Sequence, residues 1–191
     1  MNWLAKFSRR HILTACLVVF FEVILYWQYA SLDAEFHFWL HSLFGAAIGL
    51  SAVSIWKIIK GKSAGISGWE AGALGHIYSA VPDIIFIAFG VLHMYWMDVF
   101  AIHISIHFLP APVATMLIIF LLSLVAYGLS AEGHRKSATY CLVIAASVLS
   151  VSLLFKSPVP SNLKEVQRHN QKYSWMCPMW TIDPRLAQRP N

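Results

Sequence analysis

Residues 93 to 107 read HMYWMDVFAIHISIH, which puts three histidines and an aspartate in one short stretch of a chain that is 58% hydrophobic. Imidazole nitrogen and carboxylate oxygen are donors that divalent transition metals accept, and zinc takes them readily at four-coordinate sites. If the stretch forms a short helix capped by Asp98, His103 and His107 stand four apart and project from one face toward one ion. A second pair, His37 and His41 in EFHFWLHSLFGAAIGL, has the same spacing. Asp98 and His93 lie close enough to add donors. A third element is GHIYSAVPDIIF, where His76, Ser79, Pro82 and Asp83 interrupt an apolar run. A carboxylate there is costly unless it faces a bundle interior or binds a cation. Pro82 can break the helix and free carbonyls around it. About ten helical residues, roughly 15 Å of rise, separate Asp83 from His93. Joining Asp83 to the outer histidines therefore requires a break at Pro82 or a pocket that dips inward.

Membrane helices must position these side chains. Charged residues make up 12% of the chain, against about 25% in soluble globular proteins. Several apolar runs reach the ~20 residues needed to cross a hydrocarbon core. The expected fold class is all-α, a polytopic membrane bundle of about five transmembrane helices plus a short interfacial helix. The spans fall near 11–30, 38–58, 69–92, 111–130 and 137–155, and a polar tail covers 156–191. The first apolar run is too long for a signal-peptide core and no small-residue cleavage site follows it, so it is expected to be a retained span.

Basic residues sort by loop. Lys6, Arg9 and Arg10 precede the first span, Lys57, Lys60 and Lys62 follow the second, and Arg135 and Lys136 join the fourth to the fifth. Basic loops face the cytoplasm, so the N-terminus is expected inside and both histidine pairs outside. That topology rests on lysines and arginines alone, which makes the shared side of the two pairs an independent observation. Short loops suit a bacterial inner membrane. An odd number of spans places the tail outside as well, with Trp175, Met176, Met179 and Trp180 resting at an interface or on the protein. Trp27, Tyr29, Trp39, Tyr95 and Trp96 form an outer aromatic belt. Glu22, isolated in the first span, is either a buried partner for one of these polar groups or a bundle-facing residue.

The net charge of +5 comes from residues at span ends and in the tail rather than from one soluble face, which argues against a nucleic-acid partner. Cys16, Cys141 and Cys177 lack CxxC spacing, so neither a disulfide framework nor a zinc ribbon is expected. The glycines of GKSAGISGWEAGALG lack the GxxxxGK[ST] phosphate-loop pattern.

Taken in order, HSLFGAAIG, ALGHIYSAVPDI and HMYWMDVFAIHISIH resemble the YdjM-like membrane-bound metal-dependent hydrolases. In that family an early histidine precedes a small-residue helix, a Pro-Asp follows on a helix, and a histidine cluster comes later. The resemblance covers roughly residues 37–110 and carries over to His41, Asp83, His103 and His107. The order is also distantly similar to zinc-dependent phospholipases C. The chain departs from the family where Ile84, Ile85 and Phe86 follow Pro82-Asp83 in place of a second aspartate, and where HISIH lacks an arginine and a following serine. Those departures leave the metal count open.

The first functional expectation is a metal-dependent hydrolase at the extracytoplasmic interface, acting on a membrane lipid or lipid-linked phosphoester. A divalent metal, zinc foremost, is held by His37, His41, His93, His103 and His107. Asp83 or Asp98 completes the shell, the other carboxylate serves as base, and His76 is a further candidate. The alternatives are a b-type haem or other membrane redox protein, and a non-catalytic interaction subunit or metal transporter. A protein partner or a homo-oligomer stays open.

Overall fold

The computed structural model describes residues 9–31, 34–62, 64–89 and 95–159. Five helices account for most of them: α1 (Arg9–Ala30), α2 (Glu35–Lys60), α3 (Gly68–Phe89), α4 (Pro112–Ala131) and α5 (Arg135–Leu154). Among the described residues there is no strand, so the fold is an all-α bundle. Each helix is long and apolar enough to cross a membrane. Short links turn α1 into α2, α2 into α3 and α4 into α5, so these neighbours run in opposite directions. At one end, Arg10 on α1 meets Glu70 on α3 and the Gly65 carbonyl. At the other, Tyr29 on α1 meets Asp83 on α3.

The bundle is built around α2, which packs against α3 on one side and α4 on the other. Small residues set the α2–α3 distance. A Cβ added at Gly45 would lie 2.4 Å from the Gly75 carbonyl oxygen, and one at Gly49 would lie 1.8 Å from the Ala71 carbonyl oxygen. The two backbones therefore touch, as in small-residue contacts between membrane helices. On the α4 side, Leu40, Phe44 and Ala47 pack with Met116, Ile119 and Ile106, and the Ser51 hydroxyl donates to Ser123 Oγ at 3.0 Å. α1 and α5 are peripheral. α1 buries only Leu25 and Tyr29, while Leu13, Leu17, Val19 and Phe20 face outward, as a lipid-facing surface requires.

Arg9, Arg10, Lys57, Lys60, Lys62, Arg135 and Lys136 all fall at one end of the bundle, given by the start of α1, the end of α2 and the α4–α5 turn. The opposite end holds the polypeptide from 95 to 111. The short helix expected there takes the form of two 3-10 turns, Tyr95–Val99 and Ser105–Phe108. Between them Ala101 and Ile102 adopt φ of 56° and 44°, and Ala111 before α4 has φ of 43°. Left-handed backbone at a residue with a Cβ costs about 1–2 kcal/mol, so tertiary contacts must hold this loop in place. Glycine at position 101 removes that cost but raises the entropy of the unfolded chain by roughly 0.5–1 kcal/mol. Ala101→Gly is therefore expected to raise the thermal midpoint modestly, and a lowered midpoint would show that the turn is not strained.

After α5 the chain folds back onto this loop. The Ser157 N–H donates to the Phe108 carbonyl at 2.8 Å, and Val159 packs on Met97, Ile104 and Phe108. The start of the tail thus lies at the histidine end. The readings of Trp175, Met176, Met179 and Trp180 concern residues outside those described.

Candidate metal centre

Four histidines from two separate segments meet inside the bundle. His37 and His41 are one turn apart near the start of α2, and His103 and His107 arrive from the loop. One nitrogen from each lies within 4.8 Å of the other three, and all four side chains are buried. The group can hold a metal ion. The loop pair does not sit on one α-helical face as the i, i+4 spacing implied. His107 lies in the second 3-10 turn, and His103 directly follows the left-handed residues Ala101 and Ile102. The rings converge closely, with His41 stacked on His103 at 4.0 Å and His37 on His107 at 4.4 Å between centroids.

Asp83 lies against three of the four. Its Oδ1 is 2.8 Å from His37 Nε2 and 3.3 Å from His103 Nε2, and its Oδ2 is 3.8 Å from His41 Nε2. Of the two routes open to Asp83, the structure uses the inward dip. α3 continues through Pro82 to Phe89, and the loop descends until His103 Nδ1 donates to the Ser79 carbonyl at 2.9 Å. Pro82 lacks the N–H that the Tyr78 carbonyl would otherwise receive, one residue before the Ser79 carbonyl that His103 uses.

Partners behind the donors fix their orientation. A carbonyl only accepts, so the Ser79 contact puts a proton on His103 Nδ1 and turns Nε2 toward Asp83. Ser79 Oγ lies 3.0 Å from His41 Nδ1 and turns that ring's Nε2 inward, to 3.2 Å from His107 Nε2. A basic nitrogen facing a carboxylate oxygen, and two imidazole nitrogens facing each other, are arrangements that a shared proton or a cation between them resolves. Imidazoles braced through the distal nitrogen are the usual form of a metal-binding histidine. Tyr29, fully buried, donates its hydroxyl to Asp83 Oδ2.

Tyr29 was expected in the aromatic belt; the structure instead turns it inward. The available signal was its spacing from Glu22, which puts two polar groups on one stripe of α1. Trp27, Trp39 and Trp96 are exposed as belt residues should be. No family model, curated protein or solved structure matches the chain.

The geometry of the site gives the remaining candidates different places. Asp98 organises the loop. Its Oδ1 accepts from the backbone N–H groups of Ile104 and Ser105 at 2.7 and 2.9 Å, and its Oδ2 accepts from Ser105 Oγ at 2.7 Å. It thus caps the second 3-10 turn across the bend and lies outside the group formed by the four histidines. Lys156 reinforces the same point by donating to Ser105 Oγ at 3.0 Å. Hydrogen bonds to a charged group contribute about 1.5–3 kcal/mol. Asp98→Ala is therefore expected to lower stability by about that much and to weaken metal retention while leaving every donor intact, with Asp98→Asn milder. Undiminished retention in the alanine variant, measured against a chelator series, would mean that the loop is held without Asp98.

His76 joins a different set. Its Nδ1 lies 2.8 Å from Glu22 Oε2, and its ring packs edge-on against Phe38. Ser42 Oγ is 3.1 Å from Nε2 and 3.5 Å from Nδ1. Such similar distances to both nitrogens place the hydroxyl beside the ring face rather than along a lone pair, so no serine-histidine-acid relay is formed. The pair ties α1 to α3, and Glu22, itself partly exposed, is a partner for His76. His93 lies outside the described residues.

Proposed function

We propose that this protein is a membrane-embedded metal-dependent hydrolase acting on a lipid or lipid-linked phosphoester, with zinc as its metal. The observation that carries the reading is the convergence of four buried imidazoles, one donor from each within 4.8 Å of the rest, with the Asp83 carboxylate against three of them. The resemblance of residues 37–110 to the YdjM-like hydrolases points the same way. The close stacking of the rings speaks against haem, because a macrocycle has no gap between axial histidines whose centroids are 4.0 Å apart.

His37, His41, His103 and His107 hold the ion in this reading. A divalent cation held there would supply Lewis acidity toward a phosphoryl oxygen and would lower the pKa of water to about 7. Asp83 has one oxygen committed to Tyr29, so Oδ1, which faces His37 and His103, is the atom at which a proton is taken up and released. Ser79 keeps His41 and His103 in the required orientation from behind. Asp98 and Lys156 keep the loop closed over them.

Two features favour a lipid. The donors lie at the end of the bundle away from the basic loops, which by the charge rule is the extracytoplasmic leaflet of a bacterial inner membrane, with the N-terminus inside. All five groups are buried to within 3% exposure, so a substrate enters only when the loop or α1 moves. α1 has only two buried residues and faces the bilayer, so sideways entry suits a molecule already dissolved there.

The test is product release from phospholipid vesicles and from a soluble phosphodiester by zinc-loaded protein, beside Asp83→Asn and chelated protein. Release by the wild type alone supports the reading. No release from fully loaded wild type on either substrate, or equal release by all three, would overturn it.

A further inference from the structure

At the end of the bundle opposite the histidines lies a second polar cavity, of about 340 Å³, between the end of α2 and the α4–α5 turn. Its walls carry three cations, Lys57, Lys62 and Arg135, with Gly61, Ser130 and Gly133 between them, and no carboxylate lines it. Like charges gathered around one hollow repel each other unless an anion lies between them.

The local structure brings the three cations to one hollow. Gly61 ends α2 in the left-handed conformation, with φ of 66°, which turns the chain so that Lys62 follows on the cavity wall. A Cβ at Gly61 would lie 2.7 Å from an Arg135 guanidinium nitrogen. The guanidinium of Arg135 thus packs directly over the Gly61 backbone, whose positive φ favours glycine. Lys57 rests its ammonium 4.1 Å from the centre of the Tyr127 ring, which holds it at the wall by a cation–π contact. Among the described residues none of the three forms an ion pair. The nearby acid Glu132 is exposed and is 3.9 Å from His134.

Basic loops on this side of a bundle are ordinarily topology signals spread over a surface. These three instead line one half-open hollow, and basic pockets at the ends of membrane helices are the form that headgroup sites take. We infer that this cavity binds a phosphate-bearing anion, either the headgroup of an acidic phospholipid from the leaflet on the basic side or a soluble phosphate. Arg135 meets the phosphate oxygens with its planar fork, and the two lysines add point charge. The site is independent of the metal centre at the other end.

The experiment is native mass spectrometry of the detergent-solubilised full chain after incubation with phosphatidylglycerol, with phosphatidylcholine, and with phosphatidylglycerol plus millimolar inorganic phosphate. The variants are Lys62→Gln/Arg135→Gln and, as a charge-matched control, Lys60→Gln/Lys136→Gln, which changes two cations of the same end that do not line the cavity. Circular dichroism verifies that both remain helical. The wild type and the control are expected to retain phosphatidylglycerol equally and well above phosphatidylcholine, and the cavity variant at least fivefold less. Persistence of the adduct in phosphate assigns the site to a lipid headgroup, and displacement assigns it to soluble phosphate. Equal retention by all three proteins, or equal loss in both variants, would overturn the inference, the latter because it would reduce the effect to general surface charge.

Discussion

Gly75→Leu is expected to lower metal retention at least tenfold and to depress the thermal midpoint, although Gly75 ligates nothing. A Cβ at this position would lie 2.0 Å from the Gly45 carbonyl oxygen, 2.8 Å from its carbon and 2.9 Å from the Gly49 nitrogen. All three are backbone atoms, so no side chain can swing aside. Overpacking in a core costs about 1–3 kcal/mol when side chains can yield, and against backbone the cost lies at or above the top of that range. The only relief is separation of α2 from α3. His37 and His41 ride on α2, while Ser79 and Asp83 ride on α3, so separation opens the 2.8 Å and 3.0 Å contacts that join the two halves of the centre. Gly128→Leu is the control: nothing lies within 4 Å of a Cβ there, and both retention and midpoint should stay near wild type. Wild-type retention in Gly75→Leu would mean that the centre does not depend on the α2–α3 contact.

The second large effect is expected at Asp83. Alanine there removes the carboxylate that meets His37, His41 and His103 and leaves the buried Tyr29 hydroxyl without its acceptor. A buried polar group deprived of its partner costs about 1–3 kcal/mol, so the metal-free variant should be measurably less stable. Metal retention should fall by more than the 10–100-fold typical of removing an outer partner of a ligand. Asp83→Asn separates shape from charge. It preserves an acceptor for Tyr29 and should recover much of the stability while retention stays low. An asparagine variant that keeps its metal as tightly as the wild type would remove Asp83 from the charge balance of the site.

Much of this was legible in the sequence because membranes demand it. Apolar runs of about 20 residues can satisfy their backbone in lipid only as helices, so the five-helix bundle follows from hydropathy, and the basic residues order its ends. The i, i+4 pairing of His37 and His41 was equally readable, since α2 is a regular helix through both. The loop was not. Nothing in AIHISIH announces that Ala101 and Ile102 take left-handed backbone, because neither is a glycine or asparagine, the residues that normally mark such positions. The loop therefore reads as a short helix until tertiary contacts are known. Asp98 read correctly as a cap but not as the cap of a turn six residues ahead. Tyr29 and the Ser79 carbonyl were hidden for another reason. An aromatic near a helix end has an interfacial role by default, and a main-chain carbonyl carries no sequence signal at all.

Elemental analysis of the purified full chain, wild type beside His103→Ala/His107→Ala, addresses the metal centre directly. The four-imidazole geometry leads us to expect about one zinc or more per wild-type chain and less than about a tenth of that in the variant, with helical content unchanged. Wild-type protein that binds no divalent metal after incubation with zinc, or a variant that binds as much as the wild type, would mean that the buried histidines are a structural hydrogen-bonded cluster and not a metal centre.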